Sequence, residues 1–223
     1  MSRIMTLLWR RPLFFFLFAV LPVRAQLLPV PNAAFPVNVL VQSPVLTKTD
    51  LQAICVFRSS PGNTLQGSLT EMDEKLGGLL SEVRQANLFR GELGETLLIV
   101  PKPGTIPARH LLLIGLGDRE SFSADREQVV GFIFFEEAAR MGISEPYFAP
   151  TVLDGGKAGM DTGDVAQQFL NGFMRAKATQ DLLRHGGVST GSRPSSLTFL
   201  AGAAHAARTR EGLATTFRGG QRP

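Results

Sequence analysis

Short apolar runs of strand length alternate with longer segments whose apolar residues recur every three or four positions. That alternation restricts the chain to an α/β architecture. The strand-type runs are residues 37–42 (VNVLVQ), 51–57 (LQAICVF), 96–100, 110–115 and 197–200, with a short sixth at 147–152. The helical patterns cover 69–86, 123–141, 161–184 and 201–214. In the first, Leu69, Met72, Leu76, Leu79, Leu80 and Val83 make one apolar face. Gly77-Gly78 weakens that helix by about 1 kcal/mol per glycine relative to alanine, and a paired glycine suggests that something packs close. The centre of the second, VVGFIFF, is apolar all round and strand-compatible. A cap at Ser123, the continuation Glu136 to Arg140 and a stop at Gly142 favour a helix. The expected fold is three-layered, a mixed, largely parallel central sheet flanked by helices. With 44% hydrophobic residues, the 223-residue chain is apolar enough for one real core and too apolar for a disordered chain.

The first 25 residues read as a secretory signal. Arg3, Arg10 and Arg11 precede the apolar run 13–21, and Val23-Arg24-Ala25 supplies the small residues of a cleavage site after Ala25. Nine apolar residues span about 14 Å as a helix, whereas a bilayer core needs about 20 residues, so a membrane anchor is not expected. Cleavage removes four arginines and no acid, and the +4 chain becomes formally neutral. The expectation is an exported protein, periplasmic or extracellular, with no membrane attachment after the cut. Residues 26–36 (QLLPVPNAAFP) read as an extended leader, 37–200 as the α/β domain, and 201–223 as a C-terminal helix with a frayed tail. Cys55, the only cysteine, cannot form a disulfide within the chain and reads as a buried small hydrophobe.

Candidate chemistry is sparse. Gly187-Val-Ser189-Thr-Gly191 has the spelling of a nucleophile elbow, but a helix precedes it and Pro194 and a strand follow, the reverse of what the elbow requires. Gly115-Leu-Gly117 follows a strand as a dinucleotide fingerprint would, yet the third glycine position is Glu120, which would repel a pyrophosphate. A tight turn explains both glycines. Asp154-Gly-Gly-Lys157 lacks phosphate-loop spacing. His110, His185 and His205 are scattered, and Asp161 and Asp164 suit a helix cap and first turn better than a metal. No catalytic residue, cofactor or metal is expected.

Charge is polarised along the mature chain, net −6 through residue 174 and +6 beyond it. The eight late basics (Arg175, Lys177, Arg184, Arg193, Arg208, Arg210, Arg218 and Arg222) are dispersed and lack interleaved aromatics, which argues against nucleic acid and for pairing within the domain or between copies.

Three blocks carry a resemblance: MDEKLGGLLSE at 72–82, FRGELGETL at 89–97 and LLIGLGD at 112–118. In this order they resemble the N-terminal domain of the leucyl aminopeptidase (M17) family, with the likeness extending over about residues 37–200 and fading after 150. The resemblance implies a macro-domain-like α/β unit without an active site. The family's two-metal peptidase centre belongs to a separate C-terminal domain that the chain would stop short of, so peptidase activity is not carried over. It leaves three functional readings: a stand-alone non-catalytic domain acting through protein contacts or self-association; a macro-like pocket for a nucleotide or small metabolite near Gly77, Gly78, Gly115, Gly117 and Asp118; and an accessory subunit of a separately encoded aminopeptidase.

Overall fold

A computed structural model of the chain describes residues 25–60 and 64–218. The signal-like segment, Pro61-Gly62-Asn63 and the last five residues lie outside the described residues. The elements in chain order are β1 (Gln26–Pro29), β2 (Val37–Val41), β3 (Gln52–Val56), α1 (Gly67–Lys75), α2 (Leu79–Gln85), β4 (Thr96–Ile99), β5 (Leu111–Gly115), α3 (Glu127–Arg140), β6 (Tyr147–Ala149), α4 (Thr162–His185), β7 (Leu197–Ala201) and α5 (Ala206–Arg218).

The strands form one sheet in the order β1-β2-β7-β6-β3-β5-β4. The five central strands are mutually parallel, and β1 and β4 are antiparallel edges. This is the mixed, largely parallel sheet that the alternation predicts. Central parallel strands need cover on both faces, and β3 and β5 are buried at every residue. Ala53, Cys55, Leu112 and Ile114 face one layer with Val130, Phe134, Phe169 and Leu213 of α3, α4 and α5. Ile54, Val56, Leu111 and Leu113 face the other with Leu69, Met72 and Leu80 of α1 and α2. The two-residue period of a strand divides its side chains between the layers. Phenylalanines fill the first layer, with the Phe148 and Phe169 rings stacked at 3.7 Å.

Four sequence expectations change. Residues 26–29, read as part of a leader, form β1 because Pro29 can occupy the last position of an edge strand; the Arg210 guanidinium donates to the Pro29 carbonyl at 2.7 Å. The first helix is two helices. Gly77 (φ 71°) and Gly78 (φ 86°) adopt left-handed backbone, and a Cβ at either would meet nothing within 4 Å among the described residues, so they are glycines for the turn. Asp73 then caps α2, accepting from the amides of Leu80 (2.8 Å) and Ser81 (3.1 Å). Ser123 makes no side-chain cap; a short 3-10 turn at Ala124–Arg126 leads into α3. The last helix begins at Ala206 instead of 201. The apolar centre of α3 is helical, and Gly142 (φ 71°) follows its end as expected.

Three of the late basic residues pair with acids of the domain. Arg208 engages Asp161, Asp164 and Glu211, and Lys177 and Arg193 both engage Asp181. Cys55 is buried and free, its thiol pushed up by burial and further by Glu127.

Candidate ligand cavity

All five parallel strands end on the same side of the sheet. From β3 the chain passes over one face through α1 and α2 towards β5, whereas from β6 it passes over the other face through α4 to β7. Neighbouring strands whose crossovers part in this way leave a crevice at their carboxyl ends, where open α/β sheets bind ligands. A cavity of about 490 Å³ lies there. Its walls come from the ends of β2 (Val41 to Pro44), β6 (Ala149 to Asp154) and β7 (Leu200 to Ala203), with Ser68 and Glu71 of α1, Thr162 and Val165 of α4, His205 just before α5 and Thr209 within it.

The β6 end is shaped by Thr151, which has left-handed backbone (φ 48°), strained for a β-branched residue. Its hydroxyl donates to the Cys55 carbonyl at 2.6 Å and accepts from the Cys55 amide at 2.9 Å. One side chain therefore satisfies the β3 backbone groups that β6, ending at Ala149, no longer reaches. The turn this allows opens the cavity. Beyond it, Asp154 accepts from the Ser68 hydroxyl and ties the β6 loop to α1.

The electrostatics are acidic. Glu71 and Asp154 line the cavity, and no lysine or arginine does so among the described residues. The start of α4 could hold an anion on its free amides, but Asp161 already accepts from Gly163 (2.8 Å) and Asp164 (2.9 Å). Arg208 bonds both Asp161 oxygens at 2.9 Å, and with those amides holds that carboxyl below its usual range. The chain's own carboxylate thus occupies the phosphate position at this helix.

The glycines and acid singled out from the sequence do not line this cavity. Gly77 and Gly78 form the α1–α2 turn. Gly115 and Gly117 end β5 against the turn carrying the second sequence block: Gly94 donates to the Gly115 carbonyl at 3.0 Å, Gly117 to the Gly91 carbonyl at 2.8 Å, and a Cβ at 115 would lie 1.9 Å from the Glu92 oxygen. Asp118 accepts from the amides of Ser121 and Glu120 and from Arg58, which together hold it below the usual carboxylate range. The hydrogen bonds of the two groups run to separate turns. Of the residues that line the cavity, the sequence drew notice only to Asp154, in a turn, and His205, a scattered histidine; those at strand ends also carry the signal of following a strand, which needs the strand order to be useful.

A second groove runs beside the proline-rich loop after β4, where Leu46 and Val100 are 63% and 71% exposed. Next to it, Leu98 is exposed on β4, whose outer edge is unpaired among the described residues.

Comparison with known proteins agrees with this fold. A macrodomain of Oceanobacillus iheyensis with MES bound superposes with a TM-score of 0.57 at 13% identity, covering 88% of this chain and 98% of that one. A Trypanosoma brucei macrodomain in complex with ADP-ribose gives 0.54 at 22%, covering 83% and 73%. A tomato leucine aminopeptidase mutant gives 0.56 at 20%, covering 78% of this chain but 34% of that one. These likenesses establish the fold. In sequence, a "Probable cytosol aminopeptidase" of Thermosynechococcus vestitus is 41% identical over 76 residues, and one of Alkaliphilus metalliredigens 51% identical over 51. The matches span only 15% and 10% of those two relatives' lengths. Residues 53–181, containing all three sequence blocks, match the N-terminal domain of the cytosol aminopeptidase family, and the chain belongs to that family through this domain.

Proposed function

We propose that this chain is a non-catalytic domain that works by contact with other protein chains, a second copy of itself or a separately encoded aminopeptidase. The observation that carries the reading is the open β4 edge with its apolar neighbours Leu98 and Val100, on a domain whose family match is to the N-terminal unit. An unpaired edge strand is a ready template for another chain. The residues present do not fit the two-metal centre that the family's peptidase activity would require. Among the described residues no group of three or more His, Cys, Asp or Glu side chains could hold a metal ion, and His110 and His185 bond through Nδ1 to backbone carbonyls of their own chain. Sedimentation analysis should show concentration-dependent association, weakened at least about tenfold (1.4 kcal/mol) by Leu98→Lys combined with Val100→Lys. The same sample should not hydrolyse leucine amides with added zinc or manganese. A strictly monomeric chain that also ignores aminopeptidases would sink the contact reading, and metal-dependent turnover would sink the non-catalytic one.

Export is part of this proposal. It is supported by the arginines and apolar run of the first 25 residues, and a cut after Ala25 would leave the whole sheet intact, since β1 begins at Gln26. N-terminal sequencing of protein from the native host's exported fraction should read Gln-Leu-Leu-Pro; an intact Met1 terminus on all of the protein would refute cleavage.

The cavity favours a second reading, a small-molecule binding module. Solved macrodomains sharing the fold are complexes with ADP or ADP-ribose, and the cavity lies within the roughly 300–1,000 Å³ typical of ligand sites. Nucleotide and metabolite screens against the purified domain test it.

A further inference from the structure

Resting on the binding-module reading, we propose that the cavity takes a small organic amine, with its ammonium held by Glu71 and Asp154 and its apolar body against Val41, Val152, Val165 and Leu200. Three observations lead there. The first is the sign of the lining, with two carboxylates and no lysine or arginine among the described residues. Ser68 and Glu71 are three apart on α1 and so share a face, with Cβ atoms about 5–6 Å apart. Ser68 bonds Asp154, so the two carboxylates border the same corner of the cavity. A phosphate there would meet like charge, whereas an ammonium would meet two counter-charges.

The second observation is that nearby cationic and helix-terminus groups are already engaged. Arg208 is spent on Asp161, Asp164 and Glu211, and the α4 amides that could hold a phosphate are taken by Asp161. Lys157 reaches away to the Glu120 carbonyl at 3.2 Å. The third is Thr209, which lines the cavity at 2% exposure. Its hydroxyl is a neutral group that can both donate and accept a hydrogen bond at that wall. The remaining walls are mainly aliphatic, which suits an alkyl or arylalkyl body better than a sugar.

The test uses the purified chain and four probes by calorimetry: phenethylamine, its neutral counterpart 2-phenylethanol, the anion 3-phenylpropionate, and ADP. Phenethylamine should bind at least about tenfold more tightly than the alcohol, with no heat from the propionate. Its affinity should fall as salt is raised. Glu71 is exposed on α1, so Glu71→Gln should melt like the wild type without ligand while losing about tenfold in amine affinity. Equal binding of amine and alcohol, or an amine affinity unmoved by Glu71→Gln, would overturn the proposal. ADP binding more tightly than the amine would overturn the cationic chemistry while leaving the binding module standing. Silence from all four probes would remove the proposal, and a flat metabolite screen as well would remove the binding module beneath it.

Discussion

Gly172→Ala should cost this domain about 3 kcal/mol, although alanine is the better helix former by about 1 kcal/mol. A Cβ at 172 would lie 1.9 Å from the Gln128 carbonyl oxygen, and one at 131 would lie 2.0 Å from that of Phe169. Each glycine is three residues from the carbonyl that receives the other, so α3 and α4 are pressed together at two reciprocal points. Gly212 of α5 repeats the contact against the Gly163 carbonyl of α4, again at 2.0 Å. The obstacle is backbone, which no rotamer change can clear. The helices must therefore part, loosening the layer of Phe134, Phe169 and Phe173 beneath them. At roughly 2–4 °C per kcal/mol for a domain of this size, the melting temperature should fall by about 6–12 °C. Gly159→Ala is the control, since nothing among the described residues lies within 4 Å of its Cβ position, and it should stay within about 0.5 kcal/mol of wild type. Equal melting of the two variants would refute the close helix approach.

The second large effect is a dependence of stability on pH that Glu127 imposes. Glu127 begins α3, is 0% exposed, and neither carboxylate oxygen has a hydrogen-bond partner among the described residues. Burial pushes its carboxyl well above the ordinary carboxylate range, so the folded chain keeps the proton. In the unfolded chain the same group titrates near its usual value, about 4.3. Its proton-bound form is thus compatible with the fold below that pH. Stability is then lost as pH rises towards the folded-state value, at up to about 1.4 kcal/mol per pH unit. Asp118 and Asp161 have lowered values and act with the opposite sign, but only in acid, where their stabilisation is lost as pH falls. Between pH 5 and 8 the Glu127 slope should dominate. Glu127→Met should flatten the profile and, at pH 8, stabilise the domain by roughly 3 kcal/mol, with the gain shrinking towards pH 5. Denaturant melts of both proteins across that window decide it. An unchanged slope in the variant would mean that Glu127 is not the group responsible.

The fold class was legible because strand and helix periods are local properties. Residues 51–57 and 110–115 had to be buried on both faces, and the helical pattern from 161 to 184 needed an apolar layer. Asp161 was legible as a cap for the same reason, since a cap depends on its next three residues. The break at Gly77-Gly78 was visible in sequence, but its cause was misread, because a φ requirement and a close neighbour both select glycine. The glycines at 131, 163, 172 and 212 looked like weak points in helices. Only the crossing of α3, α4 and α5 shows them as points of closest approach.

The candidate site was the least legible part. Gly115, Gly117 and Asp118 belong to a strong local motif, but their hydrogen bonds build a turn-on-turn contact at the end of β5. The cavity draws on residues 41–44, 68–71, 149–154, 160–165 and 200–209, which no pattern in the chain connects. By itself the sequence determined the element types, the three-block family membership and the charge polarity, because each depends on residues close together in the chain. The strand order, and with it the place where β3 and β6 part, the pairing of Arg208 with acids far away in the chain and the acidic lining of the cavity were decided only by tertiary structure. A cavity wall is made of neighbours in space, and chain connectivity does not encode which strand lies beside which until the sheet has formed.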